Sequence, residues 1–121
     1  MWMERSVRVE HLNLQLGTDL VYMPRLLKYL DNQSFLKKIL TPNELEIYQS
    51  LKHEKRKLEF LCGRYACKEA YAKSIGTGIG DVDFLDFEVL KDEKGKPISN
   101  KGMVSISHDE DYAIAVVILY E

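Results

Sequence analysis

The stretch at residues 60–73 most constrains the fold, because it contains no proline and one glycine and therefore predicts a long helix. At about 100° per residue, one side of this helix is an apolar stripe. The stripe consists of Leu58, Leu61, Cys62, Tyr65 and Ala72. Glu69 points into its middle, and a carboxylate taken out of water is costly unless it is paired or holds a metal. The pattern therefore favours a functional role for Glu69.

An ordinary helical ion pair is the alternative for Glu69, since Lys73 lies one turn later at the edge of the stripe. Such a pair on an exposed face contributes about 0.2–0.5 kcal/mol. It fits poorly here, because Arg64 and Lys68 are predicted to point to a more polar side of the helix. We therefore favour the functional carboxylate over the surface pair.

Composition limits the class of protein. The 121 residues fit one domain, 1–121, and a net charge of −2 argues against a generally basic nucleic-acid binder. No apolar run approaches the roughly 20 residues of a membrane span, and the first residues lack a hydrophobic signal core. Cys62 and Cys67 point away from each other on one helix, so both are expected to be free core residues. We expect a cytoplasmic protein with neither a membrane nor a nucleic-acid partner.

The change from helical to alternating periodicity along the chain predicts an α+β domain. The predicted elements are a strand at 11–19, helices at 24–30, 35–40 and 41–51, the long helix, strands at 84–90, 103–107 and 112–120, and a short return at 97–98. Along the first strand, Leu12, Leu14 and Leu16 alternate with polar residues and glycine. We place these leucines on the buried face of that strand.

Local signals predict where several elements begin and end. Thr41 and Glu44 flank Pro42 in a capping-box pattern that starts a helix. The charged residues 52–57 are assigned to a connection that leads into the long helix. Residues 92–95 are assigned to a turn, with glycine where positive φ is needed.

Two carboxylates are candidates for a metal site. Asp19 ends the first predicted strand, where its side chain can meet the C-terminal part of the long helix. Asp19 and Glu69 would supply two oxygen ligands for Mg²⁺, which usually takes one or two protein carboxylates and completes its octahedron with water and phosphate oxygens. A helix-capping or turn aspartate is an equal alternative for Asp19. The glycine run at 76–80 is interpreted as a helix stop, because it follows a helix end rather than preceding one.

Other candidate binding residues are basic or lie at a strand end. Lys73 and Arg64 share the long helix with Glu69 and are candidates for phosphate contacts. Segment 25–38 holds four basic residues against one acidic residue, which suits an acidic partner as well as a solvated helix face. His108 follows a strand end and is a candidate phosphate or substrate contact, whereas no nucleophile elbow supports a serine hydrolase.

Five motifs together resemble the bacterial holo-acyl-carrier-protein synthases, the small group of the 4′-phosphopantetheinyl transferases. The motifs are Gly17-Thr-Asp-Leu-Val21, Phe60-Leu-Cys-Gly-Arg-Tyr-Ala-Cys-Lys-Glu-Ala-Tyr-Ala-Lys73, Gly76-Thr-Gly-Ile-Gly80, Gly95-Lys-Pro97 and Ser105-Ile-Ser-His108. Their order and spacing match that group over nearly the whole chain, from about His11 to Glu121. The central helix motif is the specific part of the resemblance.

The resemblance implies a fold and a reaction. The fold is an antiparallel sheet packed on a long central helix with shorter helices. The reaction transfers the 4′-phosphopantetheine arm of coenzyme A to a serine of apo acyl carrier protein and releases adenosine 3′,5′-bisphosphate. It depends on Mg²⁺ and serves fatty acid and lipid biosynthesis. Members of the group are typically homotrimers in which each site lies between two subunits.

The resemblance also implies roles for particular residues. Asp19 and Glu69 would hold Mg²⁺ on the diphosphate, and Lys73 would contact the phosphate and help the transfer. The residues implied for the coenzyme A site are Arg64, Lys73, Gly78, Lys96, Pro97, Ser107 and His108. The residues implied for docking of the carrier protein are Arg25, Lys28 and Lys38.

The chain departs from the group's pattern in its N-terminal extension at residues 1–10 and its short stretch at 97–104. A catalytically silent module that binds coenzyme A or carrier protein is the main alternative, and the presence of both Asp19 and Glu69 argues against it. A nucleic-acid binder that uses residues 52–57 is disfavoured by the acidic pI of about 5.9 and by the lack of interleaved aromatic residues.

Overall fold

The computed structural model describes residues 13–76 and 82–120. The predicted N-terminal extension at 1–10 and the predicted coenzyme A contact Gly78 lie outside the described residues. Within the described residues, no helix is long and apolar enough to cross a membrane.

The described elements follow the order expected for an α+β domain, with one strand, then the helices and then four strands, which confirms the predicted class. The strands are β1 (Leu14–Tyr22), β2 (Val89–Lys91), β3 (Pro97–Ser99), β4 (Met103–Asp109) and β5 (Tyr112–Tyr120). The α-helices are α1 (Gln33–Ile39), α2 (Pro42–Ser50) and α3 (Glu54–Ser74), and two 3₁₀ helices span Met23–Tyr29 and Phe84–Asp86.

The strands form two antiparallel sheets. The larger sheet has the order β1-β5-β4, and β2 and β3 form a separate hairpin that turns at Gly95, where φ is 85°. The 21-residue helix α3 packs against one face of the larger sheet, and the core lies between them and the shorter helices. We call the sheet face toward α3 the inner face and the opposite face the outer face.

Gly17 allows α3 to lie very close to β1. A Cβ at this position would lie 1.9 Å from the carbonyl oxygen of Ala70 and 2.8 Å from the backbone nitrogen of Ser74. Residues two apart on a strand share a face, so Asp19 also faces α3. The glycine thus brings the carboxylate of β1 to the helix that carries Glu69.

Several helix boundaries follow the predicted local signals. Thr41 Oγ1 accepts a hydrogen bond from the backbone N–H of Glu44, and the Glu44 carboxylate accepts one from Thr41, which confirms the capping box. The prediction that residues 52–57 form a connection is wrong, because α3 begins at Glu54. Lysine, arginine and glutamate are good helix formers, and no proline or glycine interrupts them.

The strand predicted at 84–90 is also wrong over most of its length. Residues Phe84–Asp86 form a 3₁₀ helix, and β2 begins only at Val89. The Asp83 carboxylate accepts a hydrogen bond from the N–H of Leu85, and the Asp86 carboxylate accepts one from the N–H of Asp83. This capping box stabilises a helical turn where the apolar residues alone suggested a strand.

Leu14 and Leu16 do not lie on the helix-facing side of the first strand, so the prediction for these two residues is wrong, and Leu12 lies outside the described residues. Leu14 and Leu16 are 55% and 67% exposed, whereas Gly17 and Val21 are buried against α3. Alternation defines two faces but does not reveal which one the helix covers. The outer face of the sheet is therefore rich in exposed apolar side chains. Its exposed apolar residues are Leu14, Leu16, Leu20, Tyr22, Met103, Tyr112, Ile114 and Tyr120.

Candidate active site

A cavity of about 220 Å³ brings Asp19 and Glu69 together between β1 and α3. Its walls also come from the first 3₁₀ helix. The lining residues are Asp19, Leu20, Val21, Arg25, Leu26, Tyr65 and Glu69. Asp19 lies within β1, opposite Ala115 of β5, so the capping or turn role considered for this aspartate is wrong. The two predicted metal ligands thus share one opening.

The carboxyl of Glu69 has a raised pKa. Partial burial is the main cause, and the negative charge of Asp19 raises the pKa further. A hydrogen bond from Tyr65 and the positive charge of Lys73 act in the opposite direction. Two neighbouring carboxylates at an opening therefore repel each other, and a divalent cation would relieve this repulsion. Their oxygen donors suit a hard cation that keeps sites for water and phosphate.

Lys73 lies beside these carboxylates as predicted, but its ion pair is with the strand. Its Nζ lies 3.0 Å from Oδ1 of Asp19, and its side chain is 56% exposed. An ammonium group on a flexible and accessible chain can move to an anionic ligand, whereas a buried pair is held in place. The arrangement places one mobile positive charge next to two negative ones.

Tyr65 is a site residue that the sequence interpretation assigned only to the apolar stripe. It lies one turn before Glu69 and lines the same cavity. Burial raises the pKa of Tyr65, and the charge of Glu69 and a hydrogen bond to its carboxylate raise that pKa further. Its ring packs against Phe84 with centroids 5.4 Å apart. The spacing of four residues between Tyr65 and Glu69 was the available signal.

The predicted polar side of α3 is wrong, because Arg64 and Lys68 are 7% and 1% exposed. Lys68 Nζ lies 2.6 Å from Oε1 of Glu44 and donates a second hydrogen bond to the carbonyl oxygen of Phe84 at 2.9 Å. Burial lowers the pKa of Lys68, and the charge of Glu44 opposes that shift. Because elements pack on several sides of α3, helical periodicity could not identify a solvated side.

A second cavity, of about 320 Å³, collects three of the residues predicted for coenzyme A. Arg64 lines it from α3, Pro97 from β3 and His108 from β4, where its Nε2 lies 3.2 Å from the carbonyl oxygen of Glu59. Lys96 lines a neighbouring depression instead. Ser107 follows the alternation of β4 onto the outer face, away from His108.

The two cavities lie on different sides of α3. Arg64 and Glu69 are five residues apart in the sequence. That spacing separates them by about 140° around the helix and about 7.5 Å along it. Within one chain, the carboxylate cluster and the larger cavity are therefore separate surfaces.

The predicted docking residues are exposed on two helices, and one of them lines the cavity of the carboxylates. Arg25 is exposed and lines the cavity of Asp19 and Glu69. Lys28 is also exposed, with Nζ 5.3 Å from the centroid of the Tyr29 ring, and Lys38 is exposed in the last turn of α1. The first 3₁₀ helix thus carries positive charge to the edge of the cavity.

Comparison with known proteins gives matches over most of the chain. The family model of the 4′-phosphopantetheinyl transferase superfamily matches residues 15–117. The holo-[acyl-carrier-protein] synthase of Streptococcus agalactiae serotype III is 46% identical over 112 residues, covering 87% of this chain and 94% of its own. That of Geobacillus sp. is 49% identical over 112 residues, covering 86% and 93%.

A solved structure supports the same match at the level of the fold. The crystal structure of the holo-(acyl-carrier-protein) synthase from Bacillus anthracis, in complex with CoA (3′,5′-ADP), has a TM-score of 0.79 and 42% identity. The overlap covers 91% of this chain and 98% of that one. The fold predicted from the sequence, an antiparallel sheet on a long central helix, is confirmed.

Proposed function

Because the chain belongs to the 4′-phosphopantetheinyl transferase superfamily and is an enzyme of the holo-[acyl-carrier-protein] synthase type, we propose a Mg²⁺-dependent transfer from coenzyme A to apo acyl carrier protein. The serine hydroxyl of the carrier gives up its proton, and its oxygen forms a bond to the phosphorus next to the pantetheine arm. The diphosphate bond breaks, and adenosine 3′,5′-bisphosphate leaves. The meeting of Asp19 and Glu69 at one cavity is the observation that carries this proposal.

The proposed metal ligands are Asp19 and Glu69, because their carboxylates face one opening and repel each other. When bound, Mg²⁺ would neutralise charge on the diphosphate and on the leaving phosphate. Tyr65 orients the Glu69 carboxylate through its hydrogen bond. Lys73 exchanges its ion pair with Asp19 for a phosphate oxygen and so stabilises negative charge during the transfer.

Coenzyme A is proposed to occupy the larger cavity with its nucleotide part. Arg64, Pro97 and His108 line that cavity. Lys96, Ser107 and Gly78 are implied for the same ligand by the motifs that they belong to. The relative from Bacillus anthracis is described in complex with CoA (3′,5′-ADP), which supports a site for this co-substrate.

A homotrimer is proposed as the active form. Separate cavities on two sides of α3 suit a site that combines the carboxylates of one subunit with the larger cavity of the next. The exposed apolar outer face supplies a surface for subunit contact, because such extended patches on a sheet mark interfaces. Each subunit is proposed to be a single catalytic domain over residues 1–121.

The acidic carrier is proposed to dock on Arg25, Lys28 and Lys38, which are all exposed, and Arg25 also lines the carboxylate cavity. Such positive charges increase the rate of encounter with an acidic partner. The cytoplasm is the proposed compartment, since Cys62 and Cys67 are both free. The transfer would supply carrier protein for fatty acid and lipid synthesis.

The test is incubation of the purified protein with apo acyl carrier protein, coenzyme A and Mg²⁺, followed by intact mass measurement of the carrier. The expected result is the added mass of phosphopantetheine, dependent on Mg²⁺ and accompanied by release of adenosine 3′,5′-bisphosphate. Omission of Mg²⁺ with a chelator is the matched control. A cognate carrier that gains no mass would support the silent binding module instead.

A further inference from the structure

The short strand β2 pairs with β3 along one edge only, and its other edge is bonded by side chains. The N–H of Val89 donates to Oε2 of Glu44 at 2.7 Å. The carbonyl oxygen of Val89 accepts from Nε of Arg64, and that of Leu90 accepts from Nη2 of the same arginine, both at 2.9 Å. The bonds of Glu44 and Arg64 to Val89 take the place that a further strand would occupy in a wider sheet, and the bond to Leu90 fixes the same guanidinium to the next residue.

The side chains at this edge are buried charges with matched partners. Glu44 is fully buried, and Arg64 is only 7% exposed. Lys68, which is 1% exposed, neutralises Glu44 at 2.6 Å. The guanidinium of Arg64 also packs over the ring of Phe60 at 4.1 Å. Buried charges are retained at a high desolvation cost, so a set that is bonded to one strand edge points to a specific task.

The buried charges hold a hairpin that forms part of the wall of the larger cavity. The hairpin of β2 and β3 contributes Lys91, Gly95 and Pro97 to the lining of that cavity, together with Arg64 and His108. The hairpin is not part of the larger sheet, so its position depends on side-chain bonds and on packing. A displacement of β2 would therefore change the shape of the cavity.

We propose that Arg64 and the Glu44–Lys68 pair are positioning residues that clamp the free edge of β2 and so set the hairpin wall of the larger cavity. The identity of the ligand, coenzyme A, rests on the proposed function. Arg64 then acts through the fork geometry of its guanidinium, which satisfies two consecutive carbonyl groups. A lysine at position 64 keeps the positive charge but cannot reproduce that fork.

The experiment compares Arg64→Lys and Arg64→Met with the control Lys55→Gln. Lys55 is exposed in the first turn of α3 and is not among the residues that line either cavity. Hydrogen exchange at residues 89–99 is measured on the protein alone, after circular dichroism has shown that each variant is folded. We expect exchange in the hairpin to accelerate by about tenfold in both Arg64 variants and to stay unchanged in the control.

A kinetic measurement follows with the same variants. KM for coenzyme A is expected to rise by about tenfold in Arg64→Lys as well as in Arg64→Met, with kcat within about twofold of the original. If Arg64 acted only through its positive charge on coenzyme A, the Arg64→Lys protein would keep the original KM. Recovery of the original KM and of the original hairpin exchange in Arg64→Lys would overturn the proposal.

A second variant tests the same clamp with Arg64 intact. Glu44→Gln replaces the charged acceptor of the Val89 N–H, so exchange of this amide is expected to accelerate by about tenfold. Unchanged exchange at Val89 in a folded Glu44→Gln protein would contradict the clamp. Accelerated hairpin exchange without any change in KM would support the clamp and instead refute the assignment of this cavity to coenzyme A.

Discussion

Glu69 lies half-buried between β1 and α3, with Asp19 across the cavity and Tyr65 one turn earlier on its own helix. The ionised form of this carboxyl group is therefore less favourable in the ion-free protein than that of an exposed glutamate. The same features suit a ligand for a cation, because the binding of positive charge removes the repulsion. The burial and the charge repulsion that suit Glu69 to bind a cation thus also destabilise the ion-free protein.

Substitution of Glu69 gives a prediction about pH. The folded-state pKa is raised above its ordinary value of 4.5. The destabilisation by the ionised carboxylate is therefore absent below that value, grows as the pH rises toward the folded pKa and is fully present above it. Glu69→Gln should therefore increase the free energy of unfolding without Mg²⁺ at about pH 7.5 and change it little at about pH 4. Urea unfolding in the presence of a chelator measures both values. An equal effect at the two pH values would show that ionisation is not the cause.

The two cysteines give a prediction about reactivity. Burial raises the pKa of Cys62 and of Cys67 to about 12. At pH 8 the reactive thiolate is then about one part in ten thousand of each group, so alkylation of the folded protein should be very slow. Both residues should react readily in guanidinium chloride. Rapid labelling of either cysteine in the folded protein would contradict the described burial.

At the scale of elements, the contact between β1 and α3 depends on Gly17. Gly17→Ala should destabilise the fold by about 3 kcal/mol or more, because the added Cβ would lie 1.9 Å from the backbone oxygen of Ala70. It should also lower the transfer rate by moving Asp19 away from Glu69. Thermal unfolding and the mass assay measure the two effects.

Gly76→Ala is the matched control for this prediction. Gly76 has a φ of 81°, and within the described residues no atom beyond its chain neighbours lies within 4 Å of an added Cβ, so the strain lies in the backbone. We expect Gly76→Ala to lower the free energy of unfolding by about 1 kcal/mol and to leave the contact between β1 and α3 unchanged. Equal losses in the two variants would indicate that the close approach at Gly17 is unimportant.

The sequence predicted those elements whose determinants are local. The capping box of Thr41 and Glu44 lies within one helical turn, and the pattern identified it correctly. The 3₁₀ helix at Phe84–Asp86 was missed, because two aspartates favour a helical turn within a run that also resembles a strand. The buried state of Arg64 was missed as well, since its partners in β2 are distant in the sequence.

The same distinction applies to the candidate site. The pattern and the family resemblance identified Asp19, Glu69 and Lys73, which the fold brings together. The role of Tyr65 required the structure, because an aromatic residue on an apolar stripe usually signals packing. Ser107 was grouped with His108 by adjacency in the sequence, although neighbouring residues on a strand point to opposite faces.

At the scale of the whole molecule, the outer face of the larger sheet predicts the state of assembly. The proposed trimer should have about three times the mass of the 14.0-kDa chain in solution. Leu16→Asp should reduce that mass and the transfer rate, because Leu16 is 67% exposed on this face and a charge there opposes association. Light scattering after size-exclusion chromatography, at several concentrations, measures the mass.

Leu85→Asp is the control for assembly, since Leu85 is exposed on the second 3₁₀ helix and lies outside the sheet. It should leave the mass unchanged. A folded Leu16→Asp protein with the original mass and the original activity would exclude the outer face as the contact between subunits.

The Mg²⁺ dependence of phosphopantetheine transfer tests the central claim most directly, with saturating coenzyme A and carrier. The proteins compared are the original, Glu69→Gln and the control Glu54→Gln, whose position is exposed in the first turn of α3. Loss of a metal ligand should lower transfer by about 100-fold or more at any Mg²⁺ concentration, whereas the control should retain the original dependence. An original rate and an original Mg²⁺ half-saturation in Glu69→Gln would contradict a metal site at Asp19 and Glu69.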